Sequence, residues 1–208
     1  MVKKVIYLEG GGDSKELHTR CREGFRKLLE KCGYKGSMPR LVACGGRGSV
    51  FEDFRSAHGN RSPEDVIAMM IDSENPLTDL EATWNHLLYR DAWEKPPGAA
   101  DDQVLFMTTC METWIITDRD NLIRHYGSLL QVSALPPLED MERRDRHEIQ
   151  DALVHATRHC KNAYQKGKKS FAILTKLEPD ALKPHLPSFR RNLEILDEKL
   201  KGRQRVVS

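Results

Sequence analysis

The chain opens on a short apolar run, Lys3 to Leu8, that stops at Glu9 and three glycines. Leu17, Cys21, Phe25, Leu28 and Cys32 then recur at the three-and-four spacing of a helix, with Asp13 or Ser14 as its cap and Gly33 as its end. The order returns: Arg40 to Cys44 predicts a second strand, Gly45-Gly46-Arg47-Gly48-Ser49 a turn, and Val50 to His58 a short helix. Val66 to Ile71 predicts a third strand, continuously apolar as expected when helices cover both faces of a parallel sheet, and it stops at Asp72. A fourth run, Gln103 to Thr108, precedes a helical pattern from Met111 to Tyr126. Strands alternating with helices predict an α/β fold with a mainly parallel, Rossmann-like sheet and helices on both faces.

Two proline-bearing stretches, Asp91 to Asp102 and Ser133 to Asp140, read as loops. Beyond the second, Arg143 to Tyr164 and Pro179 to Leu200 read as helices, with a short strand at Phe171 to Leu174 between them. The chain thus divides into a core over 1–132 and a mostly helical, basic C-terminal extension over 133–208 packed on the same domain. That extension carries Lys161, Lys166, Lys168, Lys169, Lys176, Lys183, Arg190, Arg191, Lys199, Lys201, Arg203 and Arg205 against five acids from Glu178 to Glu198. It is either a face that tracks a phosphate backbone or a solvated helix surface.

Composition narrows the class. With 208 residues and 31% charged side chains, the chain is long enough for one substantial core and suits a soluble globular protein with a well-solvated surface rather than a disordered one. Its apolar runs fall far short of the roughly 20 residues that cross a bilayer, and the N-terminus lacks a secretory signal, so a cytoplasmic location is expected. Five widely spaced cysteines without a Cys-x-x-Cys pair exclude a disulfide framework and a zinc ribbon. The net charge of +2 does not by itself imply nucleic acid.

The chemistry lies in acids at strand ends. In an open parallel sheet, ligands gather beyond the carboxyl ends of the strands. The first strand delivers Glu9 and, four residues on, Asp13; the third delivers Asp72 and Glu74. If those strands are neighbours, their oxygens suit Mg²⁺ or Mn²⁺, and two ions roughly 4 Å apart would clamp the attacking and leaving oxygens of a phosphodiester. Gly10 and Gly11 let the backbone approach a phosphate, and the helix N-terminus after them favours an anion. Arg47 in the second turn is a bidentate phosphate candidate.

These residues resemble a known pattern. Val5 to Asp13 is similar to the hydrophobic strand and Glu-Gly-x-x-Asp/Glu start of Toprim domains, found in topoisomerases, primases, recombination mediators and OLD-type nucleases. Asp72-Ser73-Glu74 is similar to that family's Asp-x-Asp element, with a longer acid in second place. Met111-Glu112-Thr113-Trp114 matches the Met-Glu-x-Trp helix of short, standalone bacterial Toprim-like proteins that sit beside an ABC-type ATPase in anti-phage systems. The resemblance covers roughly residues 3 to 130. It implies a Toprim-like fold and a nuclease controlled by an ABC/AAA-type ATPase in phage defence. The implied metal ligands are Glu9, Asp13, Asp72, Glu74 and Glu112. OLD-like relatives also use a late lysine, for which Lys166, Lys168 and Lys169 are the candidates, Lys169 being assigned to catalysis and the other two to phosphate.

Plainer readings stand beside each of these. Asp13 with Glu16 fits a capping box, and Asp72 to Pro76 fits an Asx-type turn. Glu112 suits a helix dipole as well as a metal. His155 and His159 have helical spacing for zinc or for a solvated stripe. No serine-hydrolase elbow or Walker loop occurs. The leading expectation is a metal-dependent nuclease acting on DNA or RNA. A Toprim-like module that binds nucleic acid or a partner protein without chemistry, and a small-molecule phosphatase or nucleotide-binding enzyme, are the rivals.

Overall fold

A computed structural model of the chain describes residues 2–202. Four strands, β1 (Lys4–Leu8), β2 (Arg40–Ala43), β3 (Val66–Asp72) and β4 (Val104–Met107), form one sheet in the order β2-β1-β3-β4, parallel throughout. β1 therefore lies between β2 and β3, and the chain leaves β1 toward one side before crossing back to the other. That reversal is a topological switch point, where the loops after β1 and β3 part and leave a crevice.

Strand alternation splits the core in two. Ile6, Leu8, Ala68, Met70, Leu105 and Met107 face one layer of helices, whereas Val5, Ile67, Met69, Ile71, Val104 and Phe106 face the other. The second layer is α2 (Arg47–Gly59) and α3 (Thr83–Asp91), which bring Phe51, Phe54, Trp84 and Leu87 onto the sheet. The first is larger, and α1 (Lys15–Leu29) anchors it through Cys21, Phe25 and Leu28. Ser14 caps α1 by accepting the Leu17 N–H at 3.1 Å, so the expected alternative, Asp13, is not the cap. Beyond α1 the chain winds through a wider turn to Tyr34, with Gly33 at φ 87°.

The rest of the first layer comes after β4: α4 (Met111–Thr117), α5 (Arg119–Tyr126), α6 (Arg146–Thr157), α7 (Lys168–Leu174), α8 (Pro179–Leu182) and α9 (Pro187–Lys201). Phe171 to Leu174, read as a strand, is helical in α7; Phe171 and Leu174, three apart, both turn to α1, where a Cβ on Gly24 would lie 3.1 Å from Leu174 Cδ2 and from the Phe171 carbonyl. A four-residue apolar run satisfies both periods, and packing decides between them. The helix expected over Met111 to Tyr126 breaks at Asp118, whose carboxylate accepts the N–H groups of Asn121 and Glu178. The helix expected from Pro179 to Leu200 is two, because Pro184 and Pro187 lack the N–H that continuation needs. The helix expected from Arg143 to Tyr164 is shorter, starting where Asp145 caps α6. α3 went unread.

α9 answers a problem of the sheet. β4 is an edge strand, and an edge leaves a row of unpaired backbone groups. Asn192 donates to the Phe106 carbonyl at 2.9 Å and Arg191 to the Val104 carbonyl at 3.2 Å, so side chains of α9 complete the β4 edge. The C-terminal helices thus belong to the same core as the strands. Among the described residues no helix is long and apolar enough to cross a membrane. The five cysteines are free thiols, and Cys21, Cys110 and Cys160 are buried.

Candidate metal centre

Register brings the acids together. Leu8 pairs with Met70, so Glu9, one residue past β1, stands beside the end of β3, and the Asp72 N–H donates to Glu9 Oε2 at 3.1 Å. Glu74, two residues further, is turned back by a left-handed backbone at φ 68°, unusual for a side chain larger than asparagine. Oxygens of Glu9, Asp72 and Glu74 lie within 4.8 Å of one another. Among the described residues this is the cluster that could hold a cation; His155 and His159 join none.

The trio is not uniform in charge. Asp72 is buried, and its carboxyl is pushed well above the usual range by burial first and then by the Glu9 and Glu112 carboxylates, although the Met111 N–H donates to it at 2.9 Å. Burial raises Glu9 as well, and Arg47, with Nη1 3.5 Å from Glu9 Oε2, only moderates it. Glu74 has the opposite surroundings. Its Oε2 accepts from Arg90 Nη2 at 3.0 Å and also pairs with Arg146 Nη1.

A cavity of about 310 Å³ opens over Glu9 and Asp72, walled by Gly10 to Gly12, Gly45, Met111, Lys166 and Phe171. Its floor is bare backbone for steric reasons. Gly10 and Gly45 exchange N–H to carbonyl bonds of 2.8 and 3.1 Å, tying the loops after β1 and β2, and a Cβ on Gly45 would sit 2.6 Å from the Gly12 carbonyl oxygen. A larger hollow of about 560 Å³, lined by Arg22, Glu23 and Lys27, gathers no acid cluster.

The remaining expected residues divide. Glu112 is fully buried at the start of α4; Tyr164 donates to Oε1 at 2.5 Å and Gln150 to Oε2 at 3.4 Å, so it stands behind Asp72 rather than within the trio. Asp13 is exposed and outside the trio. Arg47, expected to hold phosphate, is committed inward: it donates to the Asp72 carbonyl, pairs with Asp91 at 2.7 Å and lies over Trp93. Lys169, expected in catalysis, gives its Nζ to the Ala163 carbonyl at 2.7 Å, and Lys168 pairs with Glu16 on the surface. Lys166 is the lysine at the cavity. Burial works against its charge, but Glu112, Asp72, Cys110 and Glu9 outweigh it and hold the ammonium above its ordinary value.

Much of the basic extension is likewise paired within the chain, partly at its surface. Lys183 pairs with Asp180, Lys199 with Asp102, Lys201 with Asp197 and Arg191 with Glu81; Arg203 and Arg205 lie outside the described residues. Arg90, Asp91 and Arg146 were missed by sequence reasoning. They stand 16, 17 and 72 positions from Glu74 with no local motif, and only folding joins them.

A family model described as a domain of unknown function (DUF4276) matches residues 8–197, from the end of β1 into α9. The chain belongs to that family. Its matched region takes in the acid trio, Arg47, Arg90, Arg146 and Lys166 together. No curated protein and no solved structure matches the chain.

Proposed function

We propose that this DUF4276 chain is a divalent-metal-dependent phosphodiesterase acting on nucleic acid, with Glu9, Asp72 and Glu74 holding Mg²⁺ or Mn²⁺. One observation carries the reading: three carboxylates converge at the switch point of a parallel sheet, and Asp72 is buried there among like charges. A buried carboxylate facing other carboxylates is costly unless a cation or a proton relieves it. All-oxygen donors fit a hard divalent ion.

Such an ion supplies charge stabilisation on phosphoryl oxygens and a nucleophilic water at neutral pH. The chain's own groups do the rest. The glycine loops after β1 and β2 form a wall without side chains, against which a phosphate can lie in contact with backbone. Lys166 at the mouth offers a positive charge to the phosphoryl group. Glu112 and Tyr164 lock one another behind Asp72 and keep the α4 N-terminus, whose Met111 N–H holds Asp72, in place. At about 310 Å³ the cavity accommodates one phosphodiester and its immediate neighbours, with the remainder of a strand outside.

The Toprim resemblance of the strand-end acids extends the proposal to a bacterial cytoplasmic setting in phage defence, with an ABC/AAA-type ATPase controlling access. A binding module without chemistry is the second reading, favoured by the arginines that already neutralise Glu74 and approach Glu9. The test is cleavage of single- and double-stranded DNA and RNA in Mn²⁺, with and without any ABC/AAA-type ATPase encoded beside it, alongside Mn²⁺ uptake measured by electron paramagnetic resonance. Glu9→Ala is expected to lose Mn²⁺ binding and at least about a hundredfold in cleavage. Equal cleavage by Glu9→Ala and wild type would sink the nuclease; salt-dependent binding without any metal requirement would select the module.

A further inference from the structure

Glu74 is held in a way that a cation ligand alone does not require. Two guanidinium groups from separate helices, Arg90 near the end of α3 and Arg146 at the start of α6, converge on the same oxygen, Oε2. The carboxylate is 10% exposed, while Arg90 and Arg146 keep 23% and 31% of their side chains open to solvent. The Arg146 side chain gives Nη1 to Glu74 and, among the described residues, makes no other hydrogen bond. Arg90 is steadied from the other side by Asp91, which Arg47 holds in turn. Glu74 reaches this position only through a left-handed backbone, a conformation unfavourable for a glutamate.

Two convergent guanidinium groups with spare N–H donors at a solvent-open edge form the geometry that binds a phosphate, because the fork matches pairs of non-bridging oxygens. We propose that Arg90 and Arg146 are a binding site for a phosphodiester phosphate of a polynucleotide, and that Glu74 fills this site in the free protein as an internal substitute for that anion. The proposal rests on reading the crevice as a phosphodiester site and adds its substrate-holding arm. It also gives the site a latch. While Glu74 occupies the arginines, the anion site is closed; when Glu74 is drawn toward the acids, the guanidinium donors are released to the strand. Release needs no movement of the helices, since Arg146 already reaches solvent.

The test is run without metal, so that it stands apart from the cation reading. Binding of a fluorescein-labelled twelve-nucleotide oligothymidine is followed by anisotropy in EDTA at fixed salt, with inorganic phosphate as a second probe. Glu74→Gln keeps the side chain's length and removes its charge. It is expected to bind the oligonucleotide about tenfold more tightly than wild type, and Glu74→Gln with Arg146→Ala to lose that gain. No gain in Glu74→Gln, or a gain that survives Arg146→Ala, overturns the assignment, and a gain for inorganic phosphate alone overturns its polynucleotide part. Should Glu74→Gln fail to fold, Glu74→Ala, also in EDTA, serves instead: a gain of about tenfold in oligonucleotide affinity that is abolished by adding Arg146→Ala supports the site, and no gain overturns it. Mn²⁺ uptake by wild type is recorded separately, so the arginine site and the metal centre fail or stand independently.

Discussion

The loops that close the crevice from its two sides are built on opposite principles. After β1 the chain runs Glu9-Gly10-Gly11-Gly12, with all three glycines at positive φ, and its glycines are tied to the β2 loop by the backbone bonds between Gly10 and Gly45. After β3 it runs Asp72-Ser73-Glu74, where side chains do the fixing: His86 lies 2.9 Å from the Ser73 carbonyl, Met111 N–H holds Asp72, and Arg90 and Arg146 hold Glu74. One loop is shaped by what it lacks and the other by what grips it. A wall of bare backbone admits a ligand closely, whereas a gripped loop places charges at set positions; a site for an anion beside a cation needs both.

The glycine side breaks most easily. Gly45→Ala would force a Cβ to 2.6 Å from the Gly12 carbonyl oxygen at a φ of +81°, so unfolding by urea should show a loss of roughly 3 to 4 kcal/mol. Gly46→Ala, next to it, meets no atom within 4 Å and is at an ordinary φ of −79°; it should cost well under about 1 kcal/mol. Equal costs at the two positions would show that steric exclusion does not shape this loop.

A buried acid outside the crevice sharpens the other half of the comparison. Glu142 accepts the Ser188 N–H and hydroxyl, and burial pushes its carboxyl from the ordinary 4.5 up to about 7. Because the folded protein then holds this proton more tightly than the unfolded chain, the contribution is fully present below about pH 4.5 and is lost as pH rises through about 7. Glu142→Gln should flatten the fall in stability across that window, by on the order of 2 kcal/mol, and leave Mn²⁺ uptake unchanged. An unaltered pH profile would show that Glu142 ionises in the fold without penalty. The smallest effect belongs to Lys168→Ala. Its partner Glu16 is 62% exposed, so the urea midpoint should stay where it is and oligonucleotide binding hardly change; a tenfold loss of binding would return Lys168 to the site.

How legible the site was depends on how local its determinants are. Glu9 and Asp72 could be picked out because each directly follows an apolar run, and Glu74 because it comes two residues after Asp72; a run followed by acids is a short-range pattern. Lys166 could be grouped with Lys168 and Lys169 but not separated from them, since adjacent lysines differ only in which way α7 and the turn before it present them. The strand read at Phe171 to Leu174 turned out helical for the same reason: four apolar residues carry no period until α1 supplies a partner.

From the residues alone came the alternation of strands and helices, the continuous apolarity of β3, the glycine turns and the acids at two strand ends, all properties of stretches a few residues long. The order β2-β1-β3-β4 came from folding, and it alone makes Glu9 a neighbour of Asp72. So did the two arginines on Glu74 and the completion of the β4 edge by Asn192 and Arg191. Those contacts join positions tens of residues apart, and no periodicity or spacing along a chain encodes which distant side chain will neutralise a buried charge.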